Sequence, residues 1–340
     1  MTKLAMIGCG GMGHYHANVL SKMPNVKITG VCDLIEEKAQ SAAKITGAPY
    51  TLKFRELLAD CDAVWVCTEP FNRVEIVTAA AAAGKHIFTE KPICNTAEGA
   101  DAMIAAAEKA RVTYMLGYVL RYTQPYRIMR DTLAGGELGE LVTCWTRRFM
   151  PFDMSVARWY GWQDKSGGVV LDFGSHDLNW LQWLGGPVKN VMCFARQIQP
   201  QMHAQEHGLV MMNFAGGGAG CTEMSWWSHL SESSVGVVGT KGAMIVGRDG
   251  AVRKKLAGAD EQVLDVQAAT AIDPSGNLGQ RDAAGKIARV DNPNETIQQH
   301  FFRCIEQGLT PITNARDGRD TLRLYLAAME SARTGKSVEL

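Results

Sequence analysis

Asp172 and His176 lie four residues apart in the segment GGVVLDFGSHDLNWLQWLGG, which covers residues 167–186 and is otherwise apolar and rich in tryptophan. If this segment is helical, the two side chains lie on one face, one turn apart. A carboxylate beside an imidazole is an arrangement suited to proton transfer. A structural pair has the same spacing, with the aspartate capping the helix and hydrogen bonded to the histidine. Taken alone, the segment favours the structural interpretation.

A second candidate group is the sequence TEKP, in which Glu90 and Lys91 precede Pro92 at the end of the predicted strand HIFTEKP. The carboxyl ends of parallel strands are where open α/β sheets bind ligands. Proline restricts the residue before it to an extended conformation, which gives the Lys91 side chain a defined direction. By itself, a Lys-Pro turn predicts no function.

The sequence MIGCGGMGHYH has Gly8, Gly10 and Gly13 in the G-x-G-x-x-G spacing of a dinucleotide-binding loop. The spacing alone is a weak signal, but here it follows the first predicted strand and begins the first predicted helix. Gly8 permits a tight turn, Gly10 lets the backbone approach a pyrophosphate, and Gly13 allows close packing of helix on strand. Because a helix N-terminus offers free N–H groups and a positive dipole end, we predict that this loop, with Gly11 and Met12, binds the cofactor phosphates.

Asp33 ends the second predicted strand, 20 residues after Gly13. A carboxylate at this position accepts hydrogen bonds from the adenosine ribose hydroxyls and repels a 2′-phosphate. Leu34 and Ile35 follow it, where an NADP site is expected to show Arg, Lys or Ser. The predicted cofactor is therefore NAD, with NADP less favoured.

The elements that must position these residues follow two patterns along the chain. In the first 120 residues, short strands alternate with helices, which predicts a doubly wound parallel sheet with helices on both faces. Its predicted strands are residues 3–8, 27–33, 61–68, 86–92 and 112–118, and its predicted helices include 73–84 and a helix capped by Thr96.

From residue 121 the pattern predicts a large, mostly antiparallel open sheet in an α+β domain. The predicted strands are residues 140–150, 188–198, 207–216, 218–227 and 233–247, and the predicted helices are 170–184 and parts of the last 45 residues. Residues 249–295 are assigned only to edge strands and loops. The sequence thus predicts two domains, residues 1–120 and residues 121–340.

In combination, the motifs resemble the glucose–fructose oxidoreductase / inositol dehydrogenase / rhizopine-catabolism (Gfo/Idh/MocA) family. They occur in the order G-x-G-x-x-G with a following His16, E-K-P, and Gly-Gly-(x)3-Asp-(x)3-His near residue 170. The likeness extends to RYTQPY, residues 121–126, and to the C-terminal sequence, so it covers essentially the whole chain. Within the family, it is closest in kind to inositol dehydrogenases.

This resemblance implies a Rossmann domain followed by a substrate domain, and an NAD-dependent dehydrogenase that oxidises a secondary hydroxyl of a cyclic polyol or sugar. It implies that Lys91, Asp172 and His176 meet around the nicotinamide and contact the substrate. His176 then takes the alcohol proton as hydride leaves for the nicotinamide. Asp172 orients the imidazole, and Lys91 stabilises the developing alkoxide.

Further residues are candidates for binding. Glu90 is expected to position Lys91 at the cofactor, and Thr68 and Asn72 are expected to face the cofactor. Candidates for substrate contacts are Arg121, Tyr122 and Arg158, although the segment around Arg158 fits an interface equally well.

The chain departs from the family pattern at two places. Val119 and Leu120 stand where Asn-Arg or Arg-Arg is usual, which weakens the case for substrate contacts from this loop. Where the family often has Thr-Pro and then His, this chain has the run of residues 68–73, TEPFNR. Its Glu69 and Arg73 are expected to change what the nicotinamide end accepts.

Composition excludes several partners. Lys plus Arg (35) equals Asp plus Glu (35), so there is no net field to attract nucleic acid or an acidic membrane. No apolar run approaches the ~20 residues of a membrane span, and a first strand beginning at Lys3 leaves no room for a signal peptide. Nine scattered cysteines without a Cys-x-x-Cys pair predict reduced thiols in the cytoplasm. The exposed face of an open sheet predicts a homodimer or homotetramer formed through the second domain.

Other aromatic and histidine residues do not form a recognisable motif. His203 and His207 are four apart, but no third ligand has suitable spacing, so no metal site is predicted. Trp226, Trp227 and His229 fit a sugar pocket or core packing equally well.

Two alternative functions remain at this stage. Some relatives cleave glycosides with transient use of bound NAD, and others bind the dinucleotide as non-enzymatic sensors. Absorbance of NADH separates the first alternative from a dehydrogenase, since glycoside cleavage gives no net NADH. The presence of Lys91, Asp172 and His176 together argues against a sensor.

Overall fold

The computed structural model describes residues 1–151, 159–247, 249–264 and 295–340. The chain divides into two compact units. The first unit comprises Met1–Gly117 and Thr296–Arg319, and the second comprises Tyr118–Glu295 and Asp320–Leu340. The predicted boundary at residue 120 assigns all later residues to the second domain, whereas this division assigns a helix near the C-terminus to the first unit.

The first unit is built on a six-stranded sheet in which every strand pair is parallel. In chain order its elements are β1 (Thr2–Ile7), α1 (Gly11–Leu20), β2 (Val26–Cys32), α2 (Glu36–Thr46), β3 (Tyr50–Thr51), β4 (Ala63–Val66), α3 (Arg73–Ala82), β5 (His86–Thr89), α4 (Ala97–Ala110) and β6 (Tyr114–Leu116), with 3₁₀ helices at Phe54–Asp60 and Pro70–Asn72. The strand order β3-β2-β1-β4-β5-β6 is that of a doubly wound dinucleotide-binding fold. The predicted parallel domain is confirmed.

Local sequence explains several of these elements. All four residues of β4 are buried, as expected for a strand covered on both faces. The Thr96 side chain accepts a hydrogen bond from the Gly99 N–H, so the predicted N-cap of α4 is confirmed. Gly84 has φ +71° just after α3, a left-handed conformation suited to glycine at a helix C-terminus.

The second unit contains a nine-stranded sheet with helices against one face. Its elements are a 3₁₀ helix at Val119–Tyr122, α5 (Gln124–Ala134), β7 (Leu141–Phe149), α6 (Gln163–Ser166), α7 (Gly168–Leu171), α8 (Ser175–Gly185), β8 (Val188–Arg196), β9 (His207–Phe214), β10 (Ala219–Ser225), β11 (Glu232–Gly239), β12 (Gly242–Val246), β13 (Val252–Leu256), β14 (Gln262–Leu264) and, near the C-terminus, β15 (Val338–Glu339). The strand order is β14-β13-β12-β11-β7-β10-β9-β8-β15. Only the pair β7–β10 is parallel among the described strands, so the predicted mostly antiparallel sheet is confirmed.

Two predicted elements of this unit differ in the structure. Residues 233–247 form the hairpin β11–β12 rather than one strand, because Thr240 and Lys241 make a two-residue turn between paired glycines. The helix predicted at 170–184 is divided into α7 and α8. Of the segment 249–295, residues 265–294 lie outside the described residues.

The remaining helices are α9 (Ile297–Gln307) and α10 (Ala315–Thr334), which precede β15. A capping box of Thr296 and Gln299 begins α9. Phe301 and Phe302 of α9 pack on Trp65 of β4, which places this helix in the core of the first unit. Within the described residues, none of the helices combines the length and apolar character needed to cross a bilayer.

Candidate active site

The glycine loop between β1 and α1 has the geometry that the sequence motif predicts. Gly8 has φ +92°, and a Cβ there would lie 2.7 Å from the main chain of Cys67 and Thr68. A Cβ on Gly13 would lie 2.1 Å from the Gly8 carbonyl oxygen, whereas one on Gly10 would meet no atom within 4 Å. Two glycines are thus required by packing, and the third leaves open space at the start of α1.

The open space beside Gly10 lies at the N-terminus of α1, which has no side-chain cap in the described part of the chain. Gly10 is the N-cap of α1, and among the described residues no side chain caps the first turn or places a carboxylate in it. Gly11 and Met12 are exposed there. Free N–H groups, a positive dipole end and the lack of a competing acid together fit a phosphate group.

Asp33 is held at the carboxyl end of β2 by the main chain. Its Oδ2 accepts from the Cys9 N–H at 2.7 Å and its Oδ1 accepts from the Ile35 N–H at 2.9 Å. Each carboxylate oxygen retains a lone pair, so both can still accept from a ribose hydroxyl. Leu34 and Ile35 are exposed and carry no charge that would attract a 2′-phosphate. These features fit NAD.

Thr68 and Asn72 follow β4 at the same edge of the sheet. The Thr68 hydroxyl is buried and has no hydrogen-bond partner among the described residues. Asn72 is exposed, and its amide donates to Glu69 at 3.3 Å. The orphaned hydroxyl of Thr68 is a further feature that fits a bound polar ligand.

Glu90, at the end of β5, is the centre of a buried hydrogen-bond network. Its carboxylate accepts from His16 Nε2 at 2.8 Å and from the Lys91 N–H at 3.1 Å. Because Nε2 donates, His16 Nδ1 accepts from the Gln298 amide at 3.2 Å. The carboxylate also packs against Gly117, where a Cβ would lie 2.8 Å from Glu90 Oε2.

Burial alone would raise the pKa of the Glu90 carboxyl. The hydrogen bond from His16 acts in the opposite direction, as do the positive charges of Lys91 and Arg73, and the pKa lies below its usual value. Glu90 is therefore a carboxylate at neutral pH.

Arg73, the first residue of α3, is only 2% exposed. Its Nε and Nη2 donate to the Thr68 carbonyl oxygen at 3.0 and 2.6 Å, and its Nη1 donates to the carbonyl oxygens of Glu90 and Pro92. Burial lowers the pKa of this guanidinium, and the charge of Glu90 opposes that effect. The sequence analysis expects Arg73 to change what the nicotinamide end accepts, and in the structure its buried side chain binds the loop that carries Lys91.

In the second unit, Asp172 and His176 lie on either side of a helix break. Asp172 is the C-cap of α7, and His176 is in the first turn of α8. At the break, a Cβ on Gly174 would lie 2.2 Å from Met224 Sδ of β10 and 2.7 Å from the Val170 carbonyl oxygen. The packed sheet therefore permits only glycine there. Asp172 and Gly174 both keep right-handed helical φ and ψ.

A buried ion pair holds the segment that carries His176. The Arg148 Nε donates to both carboxylate oxygens of Asp177, at 2.9 and 3.0 Å, and Asp177 is completely buried. The Arg148 Nη2 donates to the Phe173 carbonyl oxygen at 2.7 Å, and the guanidinium lies 4.1 Å over the Phe173 ring. The break and the first turn of α8 are thereby tied to β7.

Arg121 lies on the same face of α8 as His176. Its Nε donates to Asn179 Oδ1 at 2.8 Å, and its guanidinium lies 5.3 Å over the Trp183 ring. His176, Asn179 and Trp183 are spaced i, i+3, i+7, which places them on one helix face. The Tyr118 ring meets the His176 ring edge-on at 6.2 Å. Tyr122 is half-buried next to Arg121 in the chain, and Arg158 lies outside the described residues.

His203 and His207, the histidines four residues apart in the sequence, each lie near another side chain. His203 lies against Trp162, with ring centroids 4.4 Å apart, and His207 Nε2 is 3.8 Å from Glu223. In the part of the chain that the structure describes, no three His, Cys, Asp or Glu side chains converge as metal ligands would. Trp226 is buried, whereas Trp227 is 45% exposed.

Sequence reasoning missed Gln298, Arg148, Asp177 and Tyr118. Of these, only Asp177 could have been noticed in the sequence. A carboxylate is common in the first turn of a helix, and a carboxylate within an apolar segment needs a partner when it is buried. Gln298 contacts His16 across 282 residues, a separation that no local pattern reveals.

Two stretches of the chain match known protein families. Residues 2–118 match an oxidoreductase family with an NAD-binding Rossmann fold, and residues 126–245 match the GFO/IDH/MocA C-terminal domain. The chain is 25% identical to a scyllo-inositol 2-dehydrogenase (NAD(+)) of Bacillus subtilis, over 99% of this chain and 96% of the relative. It is 24% identical to a myo-inositol 2-dehydrogenase of Thermotoga maritima, over 99% of this chain and 98% of the relative.

The fold is also similar to solved structures. One is a levoglucosan dehydrogenase in complex with NADH and levoglucosan, with a TM-score of 0.86 at 20% identity over 99% of each chain. At this identity, the likeness is one of fold.

Proposed function

The chain belongs to the Gfo/Idh/MocA oxidoreductase family, and on this basis we propose its reaction, substrate class and site. It is an NAD-dependent dehydrogenase that oxidises a secondary hydroxyl of a cyclic polyol or sugar. The observation that carries this conclusion is similarity over nearly the full length to inositol 2-dehydrogenases. The glycine loop and Asp33 supply matching chemistry for the cofactor.

The cofactor phosphates bind at the N-terminus of α1, and Asp33 accepts from the ribose hydroxyls. When bound, NAD accepts the hydride from the substrate carbon. The orphaned hydroxyl of Thr68 supports a cofactor contact at this edge of the sheet. Asn72 is a weaker candidate, since its amide already donates to Glu69.

Three residues carry the proton chemistry in this proposal. His176 takes the proton of the substrate hydroxyl as general base, and Asp172 orients and stabilises the imidazole. Lys91 donates to the substrate oxygen and stabilises its negative charge. The assignment is supported by the match to the family motifs, by the half-buried position of His176 on α8, and by the anchored loop around Lys91.

Arg121 is the best supported substrate residue, because it shares the face of α8 that carries His176. Tyr122 and Arg158 are proposed from the sequence alone.

A substrate panel tests the function directly. Purified protein is incubated with inositols, aldoses and glycosides, each with NAD or NADP, and NADH or NADPH formation is followed by absorbance. We expect NAD reduction with at least one cyclic polyol or sugar. Glycoside cleavage without net NADH would instead support the alternative reaction, and binding of NAD without any turnover would support a sensor.

We also propose that the protein is a homodimer or homotetramer formed through the second sheet. Helices pack on one face of this sheet, and the other face carries a row of small and apolar side chains across six strands. The row is Ile245, Gly236, Trp145, Cys221, Met211 and Met192. Ile245 and Met211 are 41% and 39% exposed, and Phe194 beside them is 55% exposed. A second copy of this face is the partner that would cover it.

The cytoplasm is the proposed compartment. All nine cysteines lie in the described residues and are free thiols, seven of them buried. A chain with this many unpaired cysteines suits a reducing compartment.

A further inference from the structure

We propose that Arg73 is a positioning residue for Lys91, which it serves by holding the main-chain carbonyl groups of the residues before and after that lysine. The inference rests on the proposed function, since it concerns how Lys91 is placed for catalysis. No sequence motif marks this role, and Arg73 itself is buried, with 2% of its surface exposed.

The contacts of Arg73 bracket Lys91 in the chain. Nη1 donates to the carbonyl oxygen of Glu90, the residue before it, and to that of Pro92, the residue after it. Both carbonyl groups therefore point at one nitrogen, and the main chain of Lys91 curves around it. In addition, the main-chain N–H of Lys91 donates to Glu90 Oε2. Three hydrogen bonds thus restrain the main chain around the lysine, two at the peptide group 90–91 and one at the peptide group 92–93.

The same guanidinium links this loop to the neighbouring one. Nε and Nη2 both donate to the Thr68 carbonyl oxygen, so Arg73 ties the end of β5 to the end of β4. A planar guanidinium can serve both loops at once because its donors point in fixed, divergent directions. A lysine ammonium can reach one group of acceptors but not both. The arrangement therefore uses a property specific to arginine.

Position is the property that the Lys91 ammonium requires. Stabilisation of an alkoxide by a donor falls steeply with distance, and a displacement of about 1 Å can lower the rate by about 10²-fold. Without Arg73, the Glu90 and Pro92 carbonyl groups lose a charged donor in a buried place, and the loop has reason to rearrange. The alternative is that Arg73 only stabilises the fold, in which case its loss acts on the whole unit and not through Lys91.

The test is a double-mutant cycle of Arg73→Met with Lys91→Met, with Arg73→Lys as the conservative variant. We expect Arg73→Met to lower kcat by roughly 10–10²-fold, with the Kd for NAD within about twofold of the parent, and Arg73→Lys to recover part of the loss. Because Arg73 acts through Lys91, the double variant should have kcat within about twofold of Lys91→Met alone.

Lys85→Met is the matched control. Lys85 Nζ donates to the Cys61 carbonyl oxygen at 2.8 Å, so it is also a half-buried cation that binds the main chain of this unit. It lies at the amino ends of β4 and β5, opposite the Lys91 loop. We expect this variant to unfold more easily but to keep the parent kcat.

Hydrogen exchange of the unliganded protein provides a readout that does not depend on activity. Peptides covering residues 89–94 should exchange faster in Arg73→Met and at the parent rate in Lys85→Met. If Arg73→Met does not fold, Arg73→Lys takes its place in the cycle and in the exchange measurement.

Three outcomes would overturn the inference: an unchanged kcat in both Arg73 variants, losses that multiply in the double variant, or an equal loss in Lys85→Met. These differ from failure of the proposed function, which would appear as no NAD reduction by the parent protein or full activity of Lys91→Met.

Discussion

His176 is the residue on which the proposed proton transfer depends most directly. His176→Ala should lower kcat by ~10²–10⁴-fold, the usual contribution of a general base. The Kd for NAD should be nearly unchanged, because the dinucleotide motif belongs to the first unit. The loss should shrink at high pH, where hydroxide deprotonates the alcohol. His207→Ala, in the same unit on β9, is the matched control and should keep the parent kcat, whereas a fully active His176→Ala would refute the role.

Lys91, Asp172 and His176 should behave as one catalytic group. Asp172→Asn removes the charge that holds the imidazole, and Lys91→Met removes the stabilisation of the alkoxide. Since all three act on one proton transfer, the triple variant should be little slower than the slowest single variant. Steady-state kcat values of the four variants test this, and strictly multiplicative losses would contradict it.

Asp33 should determine the choice of cofactor. Its carboxylate is fixed by the Cys9 and Ile35 N–H groups, so a 2′-phosphate at the same place would meet an anion that cannot move away. The double substitution Asp33→Ser with Leu34→Arg should shift kcat/KM from NAD toward NADP. Leu34→Arg alone is the control and should leave the preference for NAD. A parent protein that already prefers NADP would show the assignment to be wrong.

At the residue scale, the sequence predicted what is local and missed what is distant. Gly8 and Gly13 were identified because the steric requirements of one loop fix residues that are close together in the sequence. Arg73 was noted only as a departure from a pattern, because nothing in its neighbourhood shows that its donors meet the Glu90 and Pro92 carbonyl groups. Gln298, one of the two partners of His16, is 282 residues away in the sequence, and only folding brings the two side chains together.

At the element scale, the network around Glu90 joins three elements of the first unit. The carboxylate ends β5, His16 belongs to α1 and Gln298 belongs to α9. A buried carboxylate with these partners contributes to stability only while it is ionised. The pH dependence of the free energy of unfolding therefore reports on the hydrogen-bond network around Glu90.

Glu90→Gln should make the free energy of unfolding decrease less steeply as the pH falls into the acid range. The folded-state pKa of Glu90 is depressed, so its contribution is complete above the unfolded value of about 4.3 and is lost as the pH falls through the lower folded value. At pH 7 the variant should be less stable by roughly 1–3 kcal/mol, and this difference should narrow below about pH 4. Urea unfolding at a series of pH values measures it. Glu75→Gln, in an exposed pair with Arg55, is the control, and parallel curves for parent and Glu90→Gln would contradict the prediction.

The elements themselves were predicted with uneven success. Periodicity found the longer strands of both sheets, because burial on one or two faces produces a regular pattern in the sequence. It did not find the two-residue strands β3 and β15, which are too short to show a period. It did not find the turn at Thr240 and Lys241, where apolar residues continue on both sides, or the break before Ser175. At that break Gly174 lies against the Met224 side chain of another strand, a contact that no local pattern reveals.

At the scale of the whole molecule, the uncovered face of the second sheet is the feature that needs explanation. Trp145 lies at its centre, and its ring occupies the space above Gly236, where a Cβ would be 2.3 Å from the ring. The lack of a side chain at Gly236 thus makes room for the tryptophan ring on this face. In a twofold dimer, each residue of this face occurs twice in the interface, so one substitution acts at two places.

Met211→Arg is the substitution that tests this interface. Met211 is the fifth of the six positions in the row and 39% exposed, so the monomer should tolerate arginine, whereas a dimer would have to bury two unpaired charges. We expect the parent protein to have a mass above the 37.0 kDa of one chain in light scattering at micromolar concentration. The variant should dissociate with a Kd higher by about 10²-fold or more. Leu230→Arg, at a position 71% exposed and outside the row, is the control and should leave the mass unchanged. A monomeric parent protein, or a Met211→Arg variant that assembles as the parent does, would exclude this face as the interface.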